Sequence, residues 1–361
     1  MRKFGVLIAG TGWVSTEHIR AYRMNPHTDV VAIVSRSAEK GRRRAQECGL
    51  GEEVAVYTDY AEALRDPRVD IVSLCTPNHL HAEQTIAAAE AGKHILIEKP
   101  IALTWEDAKR MKAAVDRAGV KTLVGYVLHW NPLFMTAKKM LEQYVGKLYY
   151  VESDYFHRVT EDYPCYEWTR RKDVGGSSLL AGGCHAVDAA RWFMQDEVEE
   201  VFAYSSRCRE DLEFDGTLSM LIKFRGGAMA KVGSSYDTVS PYIFNIHLFG
   251  DKGSILNDKL YSPGNIPGQK GYMHLPVETP NSGSVEHHAF PEEIDEFVDC
   301  ILADRQPELC LDDAMKTQAI TSPRRAKRSV RAQPSPPAIR ATAEVPNATR
   351  APHSSQGPAA R

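Results

Sequence analysis

Over its first third the chain repeats one pattern: a short run of apolar residues, a break, and an amphipathic stretch that ends near a glycine. The runs are "FGVLIAG", "VVAIVS", "DIVSLCT", "HILIEKP" and "KTLVGY"; the stretches between them are "STEHIRAYRMN", "EKGRRRAQECG", "HAEQTIAAAEAG" and "TWEDAKRMKAAVDRAG". A run without polar alternation has no face to offer water, so it suits a strand covered on both sides, and helices between such strands provide the cover. Gly49, Gly92 and Gly119 stand where the second, third and fourth of those helices must stop. The pattern predicts an α/β domain over residues 1–124, a doubly wound parallel sheet.

Beyond residue 124 the apolar runs change character. "KLYYVESDYFHRV", "EVEEVFAYSSR", "TLSMLIKFRGGAMAKVGSSY" and "IFNIHLFGDKGSILND" alternate or carry aromatics, with Gly226–Gly227 and "GDKGS" as hairpin turns. The helices "HAVDAARWFMQ" and "PEEIDEFVDCILAD" complete an α+β domain expected over residues 125–318, built on a large, mostly antiparallel sheet. Two domains also fit a length of 361 residues. After Gln318 the composition turns to Pro, Arg, Ala and Ser, with seven prolines and no apolar period. Residues 319–361 therefore read as a disordered tail, and the abruptness of the change reads as a shift of reading frame.

Charge narrows the partners. The formal net charge is −3, yet residues 319–361 hold eight Lys/Arg against the single acid Glu344, so the body that precedes them is distinctly acidic. An acidic body excludes a nucleic-acid surface, which needs clustered Lys/Arg on a folded face, and favours a small-molecule partner. The seven cysteines are scattered without a C-x-x-C pair, as in a reducing compartment. The apolar run at the start is too short for a signal peptide. No stretch approaches the roughly 20 apolar residues of a membrane span. The expectation is a cytoplasmic protein.

"GTGWVS" joins the first strand to the first helix, the setting in which a glycine turn and helix N-terminus cradle a dinucleotide pyrophosphate. Gly10, Thr11, Gly12, Trp13 and Val14 are the candidate phosphate-binding residues; Ser15 takes the place of the third glycine. An acid at the end of the second strand would hold the adenosine ribose hydroxyls. The chain has Ser35, Arg36 and Ser37 there, hydroxyls and a guanidinium that suit a 2′-phosphate. NADP is favoured over NAD.

"CTPNHLHAEQTIAAAEAGKHILIEKP" (residues 75–100) and "GGSSLLAGGCHAVDAARWFM" (residues 175–194) resemble the Gfo/Idh/MocA oxidoreductases, in motif and in order along the chain. The resemblance spans residues 4–317 and leaves out the tail. It implies that Lys99, at the E-K-P strand tip, sits beside the nicotinamide and hydrogen-bonds the substrate hydroxyl that becomes a carbonyl. Glu98 then neutralises or orients Lys99 and counts with the cofactor-binding residues, and Pro100 fixes the chain direction. Thr76, Pro77 and Asn78 line the nicotinamide, with His81 at the start of the following helix. His185 is the second catalytic candidate, oriented by Asp188 one helical turn on. The family commonly has an acid four positions before this histidine, where the chain has Ala181.

His129, Tyr155, His157 and Trp168 are candidate substrate contacts, since aromatic and hydroxyl-bearing side chains suit the faces and edges of a sugar ring. Adjacent His287 and His288 cannot converge on one metal, and no metal is expected. The implied activity is NAD(P)-dependent hydride transfer at a secondary alcohol or carbonyl of a sugar, polyol or glycoside, with Lys99 and His185 as the catalytic pair. The alternatives are redox-assisted glycoside cleavage with retained NAD and a non-catalytic dinucleotide sensor. The resemblance also implies a homodimer or homotetramer paired through the second sheet.

Overall fold

A computed structural model of the chain describes residues 3–280 and 288–322. Six strands make the first sheet: β1 (Phe4–Ala9), β2 (Thr28–Val34), β3 (Ala55–Tyr57), β4 (Ile71–Leu74), β5 (His94–Ile97) and β6 (Thr122–Val124). All pairs are parallel, in the order β3-β2-β1-β4-β5-β6. Helices α1 (Val14–Met24), α2 (Ala38–Glu47), α3 (Tyr60–Leu64), α4 (His81–Glu90) and α5 (Trp105–Ala118) make the crossovers. The apolar runs are buried as expected: Val6, Leu7, Ile8 and Ala9 have no exposed surface. Side-chain caps explain several helix starts, since Ser37 Oγ accepts from Lys40 N, Asp59 from Glu62 N and Thr104 from Asp107 N. The strand order reverses between β1 and β4, and chains leaving those neighbours in opposite directions open a crevice at their C-terminal ends.

The second sheet has eight strands: β7 (Leu148–Phe156), β8 (Val198–Ser206), β9 (Thr217–Phe224), β10 (Met229–Ser235), β11 (Ile243–Gly250), β12 (Ser254–Leu256), β13 (Lys259–Tyr261) and β14 (Met273–His274). Their order is β14-β13-β12-β11-β7-β10-β9-β8, antiparallel throughout except for the parallel pair β7–β10. Helices α6 (Pro132–Met140), α7 (Tyr166–Thr169), α8 (Ser178–Ala181) and α9 (Cys184–Met194) precede or interrupt it. Alternation decides which way each strand faces. On β9, Met220, Ile222 and Phe224 enter the core with Phe134 and Phe193, while Leu221 points out.

Two helices depart from the sequence expectation. Helix α10 (Phe290–Leu302) packs Phe290, Ile294, Phe297 and Val298 into the core of the first sheet with Ile19 and Tyr22, and α11 (Leu311–Thr321) sends Leu311 and Ala314 against α5 and β6. An amphipathic pattern gives the width of an apolar stripe but not the sheet that will cover it, so the stretch reads as part of the second domain when it returns to the first sheet. Helix α11 also runs past Gln318, the last residue before the expected tail; Gln318 Nε2 donates to Ala102 O at 3.0 Å. The remaining tail, residues 323–361, lies outside the described residues.

Candidate functional site

A cleft of about 780 Å³ opens where the strand order reverses and extends to residues of the second sheet and its helices. Thr11, Gly12, Trp13 and Val14 line one end. Gly10 has φ +103°, and a Cβ there would lie 2.5 Å from Cys75 O, so only glycine lets β1 turn this close to β4. Ser15, in the third-glycine position, donates to Gly12 O at 2.5 Å and braces the turn from within. No side chain caps the start of α1; its Ser15 and Thr16 N–H groups bond Gly12 O at 3.2 Å and Trp13 O at 3.1 Å within the turn itself. Ser35 is buried at the tip of β2, 3.3 Å from Thr11 Oγ1. Arg36 and Lys40 also line the cleft, exposed and in no ion pair with a described residue. Arg44 is committed instead, donating to Thr11 O at 3.1 Å and pairing with Glu47. Lys40 and Arg44 escape a motif-based reading because they lie on α2, a helical turn or more past the strand tip.

Toward the middle of the cleft, Thr76, Pro77, Asn78, Glu98 and Lys99 are brought together. Asn78 Nδ2 donates to Gly175 O at 3.0 Å. The His81 ring lies 2.8 Å from both Pro100 O and Thr76 O, tying the E-K-P tip to the neighbouring loop. Burial lowers the pKa of His81, and a neutral ring donates to only one of those carbonyls. Lys99 is half-buried; its Nζ has one long contact, to Ala181 O at 3.4 Å, and joins no ion pair with a described residue.

The Glu98 carboxylate departs from expectation. It turns inward, taking His18 Nε2 at 3.1 Å and the backbone N–H of Lys99 at 3.3 Å, so it holds the strand tip rather than the ammonium. His18, absent from the sequence-derived set, was hidden because a lone histidine on a helix face carries no motif.

His185 lines the far part of the cleft with Tyr155, His157, Trp168 and Ala181. Its ring is parallel to that of Tyr155 at 6.2 Å and meets Tyr126 edge-on at 5.8 Å. Its Nδ1 is buried without a partner. Burial, reinforced by Lys99 and neighbouring histidines, lowers the His185 pKa well below the ordinary value, so the ring is neutral. Asp188 does not orient it. That carboxylate bonds His129 Nε2 at 2.6 Å and accepts from Thr317 Oγ1 at 3.1 Å.

His129, expected at the substrate, is thereby drawn away from the cleft and meets the Trp192 ring at 4.2 Å, tilted by 35°. A helical i,i+3 spacing brings Asp188 near His185 in sequence, but a buried carboxylate goes to the partner with the better geometry. His157 stays in the cleft, ringed by Tyr155, Tyr163 and Tyr242, with Tyr155 Oη 3.4 Å from its Nδ1. Tyr163, Tyr236, Tyr242, Cys165 and His288 line the same end. Among the described residues no cluster of metal-ligating side chains occurs, and no helix is long and apolar enough to cross a membrane.

The cleft fits a dinucleotide: a glycine turn that excludes a Cβ at the start of a helix, two exposed cations in no ion pair with a described residue, and a His185 ring nitrogen without a partner among the described residues.

Residues 4–126 match the family described as "Oxidoreductase family, NAD-binding Rossmann fold", and residues 134–256 match the "GFO/IDH/MocA C-terminal domain". The chain is 30% identical to the 1,5-anhydro-D-fructose reductase of Ensifer adhaerens over 78% of its own length and 84% of that protein. It is 31% identical to the myo-inositol 2-dehydrogenase of Thermotoga maritima over 70% of this chain and 75% of the relative. Among solved structures, a levoglucosan dehydrogenase in complex with NADH shares the fold at TM-score 0.80 and 24% identity, covering 89% of this chain and 95% of that one. Matched along both sheets and at 30% identity to a relative of nearly the same extent, the chain belongs to the Gfo/Idh/MocA family of NAD-binding oxidoreductases.

Proposed function

We propose that the protein is a dehydrogenase or reductase for a secondary alcohol of a sugar, polyol or glycoside, and that it prefers NADP to NAD. The observation that carries this is one cleft with a glycine turn at a helix start at one end and, beyond it, a Lys99 amine in no ion pair with a described residue and a neutral His185. Relatives named for an anhydro-sugar and for inositol support the substrate class.

The nicotinamide, when bound, supplies or accepts the hydride. Gly10 through Val14 hold the pyrophosphate, and Thr76, Pro77 and Asn78 flank the nicotinamide. Ser35, Arg36 and Lys40 take the 2′-phosphate, because two exposed cations beside a hydroxyl form charge-assisted bonds that a bare ribose does not use. Lys99 Nζ hydrogen-bonds the reacting oxygen and exchanges its proton, while the neutral His185 ring offers a second proton acceptor on the same substrate. Tyr155, His157 and Trp168 shape the sugar subsite.

We also assign the protein to the cytoplasm, supported by seven free cysteines, and to a homodimer or homotetramer, supported by the exposed Tyr204, Leu221 and Met229 on the outer face of the second sheet. The test of the activity is to incubate the protein with NADP or NAD and a panel of sugars, polyols and glycosides, following absorbance of the reduced cofactor. Net reduction by at least one member, faster with NADP, is expected. Tight nucleotide binding with no redox change across the panel in either direction overturns the proposal.

A further inference from the structure

His18 is the one ionisable side chain on α1 that is fully buried and hydrogen-bonded at both ring nitrogens. Its Nδ1 lies 2.8 Å from Ser73 Oγ on β4 and its Nε2 3.1 Å from Glu98 Oε1. With both nitrogens engaged the ring cannot turn. The Phe290 ring, at the start of α10, closes on it at 5.1 Å. Glu98 is held as tightly. Its second oxygen takes the Lys99 N–H at 3.3 Å, and a Cβ on Gly125 would come within 3.1 Å of Oε1, so the chain leaving β6 lies directly against the carboxylate. Phe290 belongs to the buried apolar cluster with Val6, Ile8, Ile19 and Leu96, a setting that tolerates two ionisable groups only when they are hydrogen-bonded to each other.

We propose that His18 is a positioning residue for the reaction: it clamps the Glu98 carboxylate, and through it the strand tip, so that Lys99 Nζ is aimed at the reacting hydroxyl. This rests on the proton role given to Lys99 above. The clamp joins two parts that must work in register, because α1 begins in the phosphate turn and β5 ends in the lysine.

The protonation of the surroundings agrees with a single charged pair. Burial opposes the charge on His18, yet the Cys75 thiol and the Glu98 carboxylate hold its pKa well above the ordinary value. Burial would raise the pKa of Glu98, but the His18 bond and charge, with the Lys99 charge, bring it below. Glu293, on α10, is fully buried with neither oxygen partnered; burial first and the Glu98 charge second raise its pKa well above the carboxylate range, so it is neutral. Tyr22 on α1 is held neutral by burial as well.

The test compares His18→Ala, His18→Gln and Lys99→Ala in the full chain, on the best substrate of the panel. NADP affinity by fluorescence titration and thermal unfolding are measured alongside. His18→Ala is expected to lower kcat about 100-fold, the cost of a misplacement near 1 Å, with KM and NADP affinity unchanged. His18→Gln, whose amide reaches Glu98, should recover most of that loss. Unchanged kcat in His18→Ala while Lys99→Ala is inactive overturns this inference alone; full activity in Lys99→Ala overturns the reading beneath it. Equal kcat losses in the Ala and Gln variants, each with an equal fall in unfolding temperature, make His18 a core residue only and overturn the inference. Should His18→Ala fail to fold, Glu98→Gln replaces it: a loss confined to kcat supports the clamp, and wild-type kcat overturns it.

Discussion

The two ends of the cleft are built in opposite ways. At the end lined by the glycine turn the backbone does the work: Gly10 and the start of α1 are held by Gly10 N to Val34 O at 2.9 Å and by Ser15, while Arg36 and Lys40 stand exposed and in no ion pair with a described residue. At the far end the side chains do the work. His185, Tyr155, His157 and Tyr163 pack ring against ring, and burial keeps the histidines neutral. The first arrangement suits a ligand that brings negative charge; the second suits a neutral ligand and a proton transfer out of water's reach. Binding and chemistry are thus assigned to separate residues, and substitutions should separate them.

The sharpest break is expected at His185. His185→Ala should lower turnover by roughly 100- to 10,000-fold, the usual worth of a positioned acid or base, and leave NADP affinity unchanged in a fluorescence titration. An equal loss of affinity would merge the two ends. His129 offers the contrast within the same region. His129→Ala should cost about 1.5–3 kcal/mol of stability, the worth of a hydrogen bond to a charged group, and no more, because Thr317 and Arg191 still serve Asp188. Chemical denaturation reads that loss, with kcat nearly intact in the folded fraction.

At the other end, Arg36→Ala should weaken NADP more than NAD by about 1.5–3 kcal/mol, the worth of a hydrogen bond to a charged group. Equal losses for both nucleotides would mean that Arg36 stacks on adenine and reads no phosphate. The smallest effect concerns neither end directly. Folded Glu293 keeps a proton that the unfolded chain releases above the ordinary carboxylate value. Stability therefore falls as pH rises between that value and the raised one, by up to about 1.4 kcal/mol per pH unit. His18, with its raised pKa, loses its contribution in the same direction as pH climbs through its folded value. Glu293→Gln should flatten the slope and gain most over wild type at alkaline pH, as thermal unfolding at several pH values will show.

The contrast between the two ends also explains what the sequence could reveal. The phosphate turn, Ser35, Arg36 and Lys99 sit on contiguous strand–turn–helix units, where neighbours in sequence are neighbours in space. The parallel sheet and the hairpins at Gly226–Gly227 and "GDKGS" were legible for the same reason. Glu98 was legible as a motif residue but not in its direction, since its partner His18 is 80 positions away. The same distance problem sends Asp188 to His129, 59 positions upstream, instead of to His185 three residues before it. Helices α10 and α11 show it at the scale of whole elements, because a stripe of apolar residues does not name the sheet that covers it.

The central claim is that Lys99 serves the chemistry and not the binding. The most direct measurement is steady-state turnover of Lys99→Ala on a substrate found in the panel, with NADP affinity determined on the same preparation. Turnover is predicted to fall roughly 100- to 10,000-fold at unchanged affinity, and the Lys99→Ala/His185→Ala pair to lose less than the product of the single losses, as groups serving one proton transfer do. Wild-type turnover in Lys99→Ala, or a loss of activity that tracks a loss of NADP binding, would contradict it.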